Sequence, residues 1–64
     1  MVKVNGKELD IAGNTLTEYL ATTNYDMQRI ATELNGDIVP KATYAETVLK
    51  DGDSIEIVSF VGGG

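Results

Sequence analysis

Asn5-Gly6 stands between two alternating runs, Val2-Lys3-Val4 and Glu8-Leu9-Asp10-Ile11, and it fixes how the chain can begin to fold. Both central residues of a tight type I′ turn need positive φ, which Asn-Gly tolerates, so this stretch predicts a β-hairpin. Gly13-Asn14 breaks the alternation. Thr15-Leu16-Thr17-Glu18 then reads as a capping box, with Thr15 as N-cap and Glu18 reaching back to it. Leu16, Tyr19 and Leu20 share one helical face before the threonines and Asn24 end the pattern, so the spacing predicts a helix of about two turns. Ile30-Ala31-Thr32-Glu33-Leu34, Asn35-Gly36 and Ile38-Val39-Pro40 predict two short strands, or a strand and an edge piece. The second belongs on a sheet edge, because Pro40 cannot donate to a ladder. After Val48-Leu49, Asp51-Gly52-Asp53 reads as a turn and the last strand runs from about Ser54 to Val61, with the segment between Pro40 and Val48 irregular.

This order predicts an α+β fold of the β-grasp type: a mixed sheet of four to five strands, with one main helix on one face and the first and last strands parallel at the centre. Period-two alternation in the last strand places Ile55 and Ile57 in the core and Glu56, Val58 and Phe60 on the open face. Tyr19 is expected to pack beside Leu16 and Leu20, and Tyr25 and Tyr44 to cover sheet edges. Residues 1–61 then form the folded domain, and residues 62–64 a flexible tail.

Composition excludes most chemistry. A 64-residue chain buries only about 60% of its unfolded surface, leaving little room for a deep catalytic cavity. With no cysteine and no histidine, it has neither a disulfide framework nor the usual nucleophile pairs, nor imidazole or thiolate metal ligands. Asp51, Asp53 and Glu56 could be read as a metal-binding group, but Asp-Gly-Asp is first of all turn chemistry, so no metal is expected. The net charge of −5 argues against nucleic acid and anionic membranes and favours a basic protein partner. Lys3, Lys7, Arg29, Lys41 and Lys50 are scattered and form no phosphate-binding motif. No apolar stretch approaches the roughly 20 residues of a membrane span, and the first residues alternate like a strand rather than a signal peptide, so a cytoplasmic, monomeric protein is expected.

The sequence closes on Gly62-Gly63-Gly64 directly after the apolar end of the last strand. Four residues from Val61 reach roughly 13 Å when extended, and glycines present no Cβ to a narrow passage, so the tail suits threading into another protein's active site. A terminal carboxylate is ionised at neutral pH and a poor electrophile, so it must be activated before it reacts. On a domain without nucleophile, cavity or metal ligands, it reads as a substrate rather than a catalyst. The alternatives are a frayed terminus, or a non-covalent interaction module that uses Val58 and Phe60 and leaves the carboxylate idle.

The run Val48-Leu49-Lys50-Asp51-Gly52-Asp53-Ser54-Ile55-Glu56-Ile57-Val58-Ser59-Phe60-Val61-Gly62-Gly63-Gly64, with Asn35-Gly36-Asp37-Ile38-Val39-Pro40 upstream, resembles the ThiS sulfur carriers of thiamin biosynthesis over essentially the whole chain. The resemblance implies a ubiquitin-like β-grasp domain that is a protein cosubstrate, not an enzyme. A ThiF-like enzyme would adenylate Gly64 with ATP and magnesium, and sulfur from a persulfide donor would replace the AMP. The resulting thiocarboxylate would donate its sulfur to a ThiG-like thiazole synthase, with no cofactor held permanently. Gly62 and Gly63 would form the flexible approach, and Val58, Phe60 and Val61 the docking surface. A MoaD-like small subunit of molybdopterin synthase is the runner-up, sharing fold and tail but serving another acceptor.

Overall fold

The computed structural model describes residues 1–60, and the expectations for Val61, Gly62, Gly63 and Gly64 lie outside the described residues. Strands β1 (Val2–Val4) and β2 (Lys7–Leu9) come first, then helix α1 (Leu16–Leu20) and a 3-10 turn (Met27–Arg29). Strands β3 (Ile30–Leu34) and β4 (Asp37–Ile38), a 3-10 helix (Lys41–Glu46) and strand β5 (Ser54–Ser59) follow. Together the strands form one mixed sheet in the order β2-β1-β5-β3-β4. β5 lies at its centre, parallel to β1 and antiparallel to β3. This is the expected β-grasp.

Local chemistry explains each element. Asn5 (φ 50°) and Gly6 (φ 86°) make the left-handed turn joining β1 to β2, in the register Val4 opposite Lys7. Asn35 (φ 52°) and Gly36 (φ 90°) repeat the device between β3 and β4, and β4 is an edge strand that ends before Pro40. The capping box forms as expected: Thr15 Oγ1 accepts from the Glu18 amide at 3.1 Å, and Glu18 Oε1 accepts from the Thr15 amide at 2.7 Å.

The helix is shorter than the two turns expected, at five residues. Thr22 and Thr23 explain this. Their hydroxyls each donate at 2.7 Å to the carbonyl three residues back, of Tyr19 and Leu20, and their amides bond the same two carbonyls. The last turn is thereby drawn into a tight 3-10 form and stopped.

The core joins Val2, Val4, Ile30, Ile55 and Ile57 from the sheet to Leu16, Tyr19 and Leu20 of α1, with Leu49 and Tyr44 completing it. Fully burying one such side chain contributes roughly 1.5–3 kcal/mol. Tyr44 corrects the sequence reading. It is 1% exposed rather than an edge cover, because residues 41–46 form a 3-10 helix that lies against α1 and turns the ring inward. Tyr25, half-buried, packs against the rim of the core.

Candidate functional site: the exit of the central strand

β5 is held from both sides as far as Ile57, and from the β3 side to its end. On the β1 side, the Lys3 amide donates to the Asp53 carbonyl and the Asn5 amide to the Ile55 carbonyl, both at 2.9 Å. There the backbone of β1 turns away into its hairpin, and the side chain of Asn5 takes over. Its Oδ1 accepts from the Ile57 amide at 2.7 Å, while its Nδ2 donates to the Ile57 carbonyl at 3.2 Å. A primary amide carries both a donor and an acceptor, so Asn5 stands in for one more residue of neighbouring strand. At the other end of β5 Asn35 combines side chain and backbone, its Oδ1 accepting from the Ser54 amide at 2.9 Å and its backbone N–H donating to the Ser54 carbonyl at 2.7 Å. On the β3 side the ladder reaches Phe60, whose amide donates to the Arg29 carbonyl at 2.6 Å. The strand therefore delivers the chain to residue 60 in a fixed direction.

The two faces of β5 differ as the alternation predicts. Ile55 and Ile57 are buried, while Val58 and Phe60 are each 55% exposed. Ala31 lies opposite Val58, Glu33 opposite Glu56, and Ile38, 70% exposed, opposite Glu33 on β4. The open face thus carries an apolar group beside a cross-strand pair of carboxylates. Like charges directly opposite one another destabilise a sheet. Among the described residues, the ion pairs are the Met1 amine with Asp51 and Arg29 with Asp26, and neither relieves Glu33 and Glu56.

Asp53 serves the turn before β5: it accepts from the Lys50 amide at 2.8 Å and from Asn35 Nδ2 at 3.1 Å. The Met1 amine is held above its ordinary pKa by its hydrogen bond to Asp51. Burial, and then the nearby Tyr25, push the Tyr19 phenol above its usual value, away from any proton-transfer role near neutrality. Among the described residues there is no pocket, and no helix is long and apolar enough to cross a membrane. The structure brings Val58 and Phe60 to one face, while Val61 and the three glycines lie outside the described residues. Sequence reasoning missed the two asparagine side chains. Both were read as turn formers only, although an Asn that begins an Asn-Gly turn beside a central strand can also cap that strand's backbone.

The sequence model of the ThiS family matches residues 2–64. The chain is 39% identical to the sulfur carrier protein ThiS of Bacillus subtilis over 66 aligned residues, covering all of both chains. It is also 40% identical over 62 residues to a thiazole synthase of Paramagnetospirillum magneticum. That match covers 95% of this chain and 19% of that protein, so the chain spans about a fifth of the length of this relative. Among solved structures, a thiamine biosynthesis protein (ThiS) from Geobacter metallireducens superposes with a TM-score of 0.78 at 36% identity, covering 98% of this chain and 97% of that one.

Proposed function

The chain belongs to the ThiS family, and from that membership we propose that it carries sulfur for thiazole formation in thiamin biosynthesis, as a thiocarboxylate on Gly64. The observation that carries the proposal is the match to the family through residue 64, which includes the glycine end, together with full-length similarity to a sulfur carrier protein. In this reading residues 1–61 are the body and residues 62–64 the reactive tail. The Gly64 carboxylate attacks the α-phosphorus of ATP, pyrophosphate leaves, and the mixed anhydride gives its carbonyl carbon a good leaving group in AMP. The outer sulfur of a persulfide then displaces AMP to give an acyl disulfide. A second thiol on the partner side attacks the inner sulfur of that disulfide, so that the Gly64 thiocarboxylate leaves and a disulfide remains on the donor. The ThiF-like partner supplies the magnesium site and the catalysis, while this domain supplies a presented carboxylate.

The geometry supports that division of labour. β5 is fixed as far as Phe60, and the exposed Val58, Phe60 and Ile38 offer an apolar surface to the partner that receives the tail. Glu33 and Glu56 beside them complement a basic partner, accelerating encounter in a salt-dependent way. Similarity to thiazole synthases in two organisms favours thiazole over molybdopterin as the acceptor pathway, with a ThiG-like enzyme as the second partner. The test is ATP–pyrophosphate exchange by a ThiF-like enzyme with this chain and with a version extended by one residue. Extension converts the Gly64 carboxylate to an amide and abolishes exchange. Exchange that persists with the added residue in place contradicts the proposal.

A further inference from the structure

One backbone position next to the apolar surface has hydrogen-bonding groups that no other described residue meets. In the antiparallel pairing of β3 with β5, Phe60 donates to Arg29, so the bonded pairs fall at residues 60, 58 and 56 of β5, and Ser59, Ile57 and Ile55 point the other way. Ile55 is met there by the Asn5 amide, and Ile57 by both polar groups of the Asn5 side chain. Ser59 comes next. The pairing of β1 with β5 stops at Val4 opposite Ile55, and among the described residues nothing bonds the amide or carbonyl of Ser59 on that side. Ser59 is exposed. An open edge one residue long is too short to recruit strands indiscriminately, yet it sits between Val58 and Phe60.

We infer that Ser59 is a main-chain docking point, where an extended segment of the adenylating partner adds a short strand beside the end of β5. A partner carbonyl accepts from the Ser59 amide and a partner amide donates to the Ser59 carbonyl. The inference rests on the proposed sulfur-carrier reading and deepens it by naming how the tail's base is gripped. Ser59 lies five residues before Gly64, roughly 17 Å of extended chain, so a partner that encloses the tail must pass alongside this position. A second copy of the chain is the weaker occupant, because each copy carries a net charge of −5 and two such edges share only one residue each.

The experiment is amide hydrogen exchange by NMR, on the free chain and on its complex with a ThiF-like adenylating protein and Mg-ATP, together with affinities of Ser59→Pro and Ser59→Ala. Proline removes the Ser59 N–H without touching the β3 ladder, whereas alanine keeps it. In the free chain the Ile57 amide exchanges slowly and the Ser59 amide fast, and complex formation slows Ser59 about tenfold or more. Ser59→Pro weakens the complex by about threefold to tenfold, the size of one hydrogen bond, while Ser59→Ala binds like the parent. If Ser59→Pro does not fold, an amide-to-ester replacement at residue 59 removes the same donor. A complex in which Ser59 still exchanges freely, or which the donorless variant forms as tightly as Ser59→Ala, overturns the inference and leaves the sulfur-carrier reading intact. Protection that rises with concentration in the free chain reassigns the edge to a second copy and also overturns it. No complex and no pyrophosphate exchange with the parent chain removes the functional reading itself, and this inference with it.

Discussion

Replacing Asn5 with alanine removes the side chain that extends the sheet past the end of β1. Two hydrogen bonds to Ile57 are lost, at 2.7 and 3.2 Å, each contributing about 1 kcal/mol net. Alanine must also hold φ near 50°, which costs it roughly 1 kcal/mol more than asparagine. The sum is about 3 kcal/mol, a large share of the roughly 3–10 kcal/mol expected for a domain of this size. It corresponds to a fall in Tm of about 12–24 °C. Asn5→Gly separates the two effects. Glycine accepts the positive φ but offers no amide, so it loses about 2 kcal/mol and lies between parent and alanine. Urea unfolding followed by circular dichroism gives the stabilities, and hydrogen exchange at the Ile57 amide reports the contact itself. The reasoning is refuted if Asn5→Ala stays within about 0.5 kcal/mol of the parent while the Ile57 amide remains slow to exchange.

Three further outcomes are expected. Thr15→Ala removes the hydroxyl that accepts from the Glu18 amide and lowers stability by about 1 kcal/mol, while the backbone amide at residue 15 still donates to Glu18, so Glu18→Ala lowers stability further in the double mutant, as a double-mutant cycle in urea can show. Among the described residues Tyr44 Oη and Thr32 Oγ1 are buried without a hydrogen-bond partner, so Tyr44→Phe leaves the unfolding midpoint unchanged or raises it. A loss above about 1 kcal/mol would mean that the hydroxyl has a partner, such as a buried water. Phe60→Asp leaves the fold largely intact, because the ring is 55% exposed, but weakens binding to the proposed ThiF-like partner by about 2 kcal/mol or more in calorimetry. Unfolding of that variant would place Phe60 in the core.

The sheet was legible because its signals are local. Asn5-Gly6 and Asn35-Gly36 demand left-handed turns, Thr15 and Glu18 mark a helix start, and the Ile-Glu-Ile-Val alternation assigns both faces of β5. Tyr44 was not legible. A 3-10 helix over Lys41–Glu46 repeats every three residues, too briefly to leave an amphipathic pattern, and one tyrosine among the small residues Ala42, Thr43 and Ala45 looks like an edge residue until the segment folds against α1. The helix was overestimated because its end depends on the hydroxyls of Thr22 and Thr23 choosing the backbone behind them. Within the candidate site, the exposure of Val58 and Phe60 followed from period two, whereas the Asn5 contact to Ile57 spans 52 positions and has no signature along the chain.

The central claim is that Gly64 carries sulfur, and the most direct measurement is the intact mass of the protein isolated from its own cells during thiamin starvation, with fragmentation of the C-terminal peptide. The account predicts a species heavier by the exchange of one oxygen for one sulfur, with the change confined to Gly64. A C-terminal peptide found only as the carboxylate, in cells that are actively making thiazole, would contradict it.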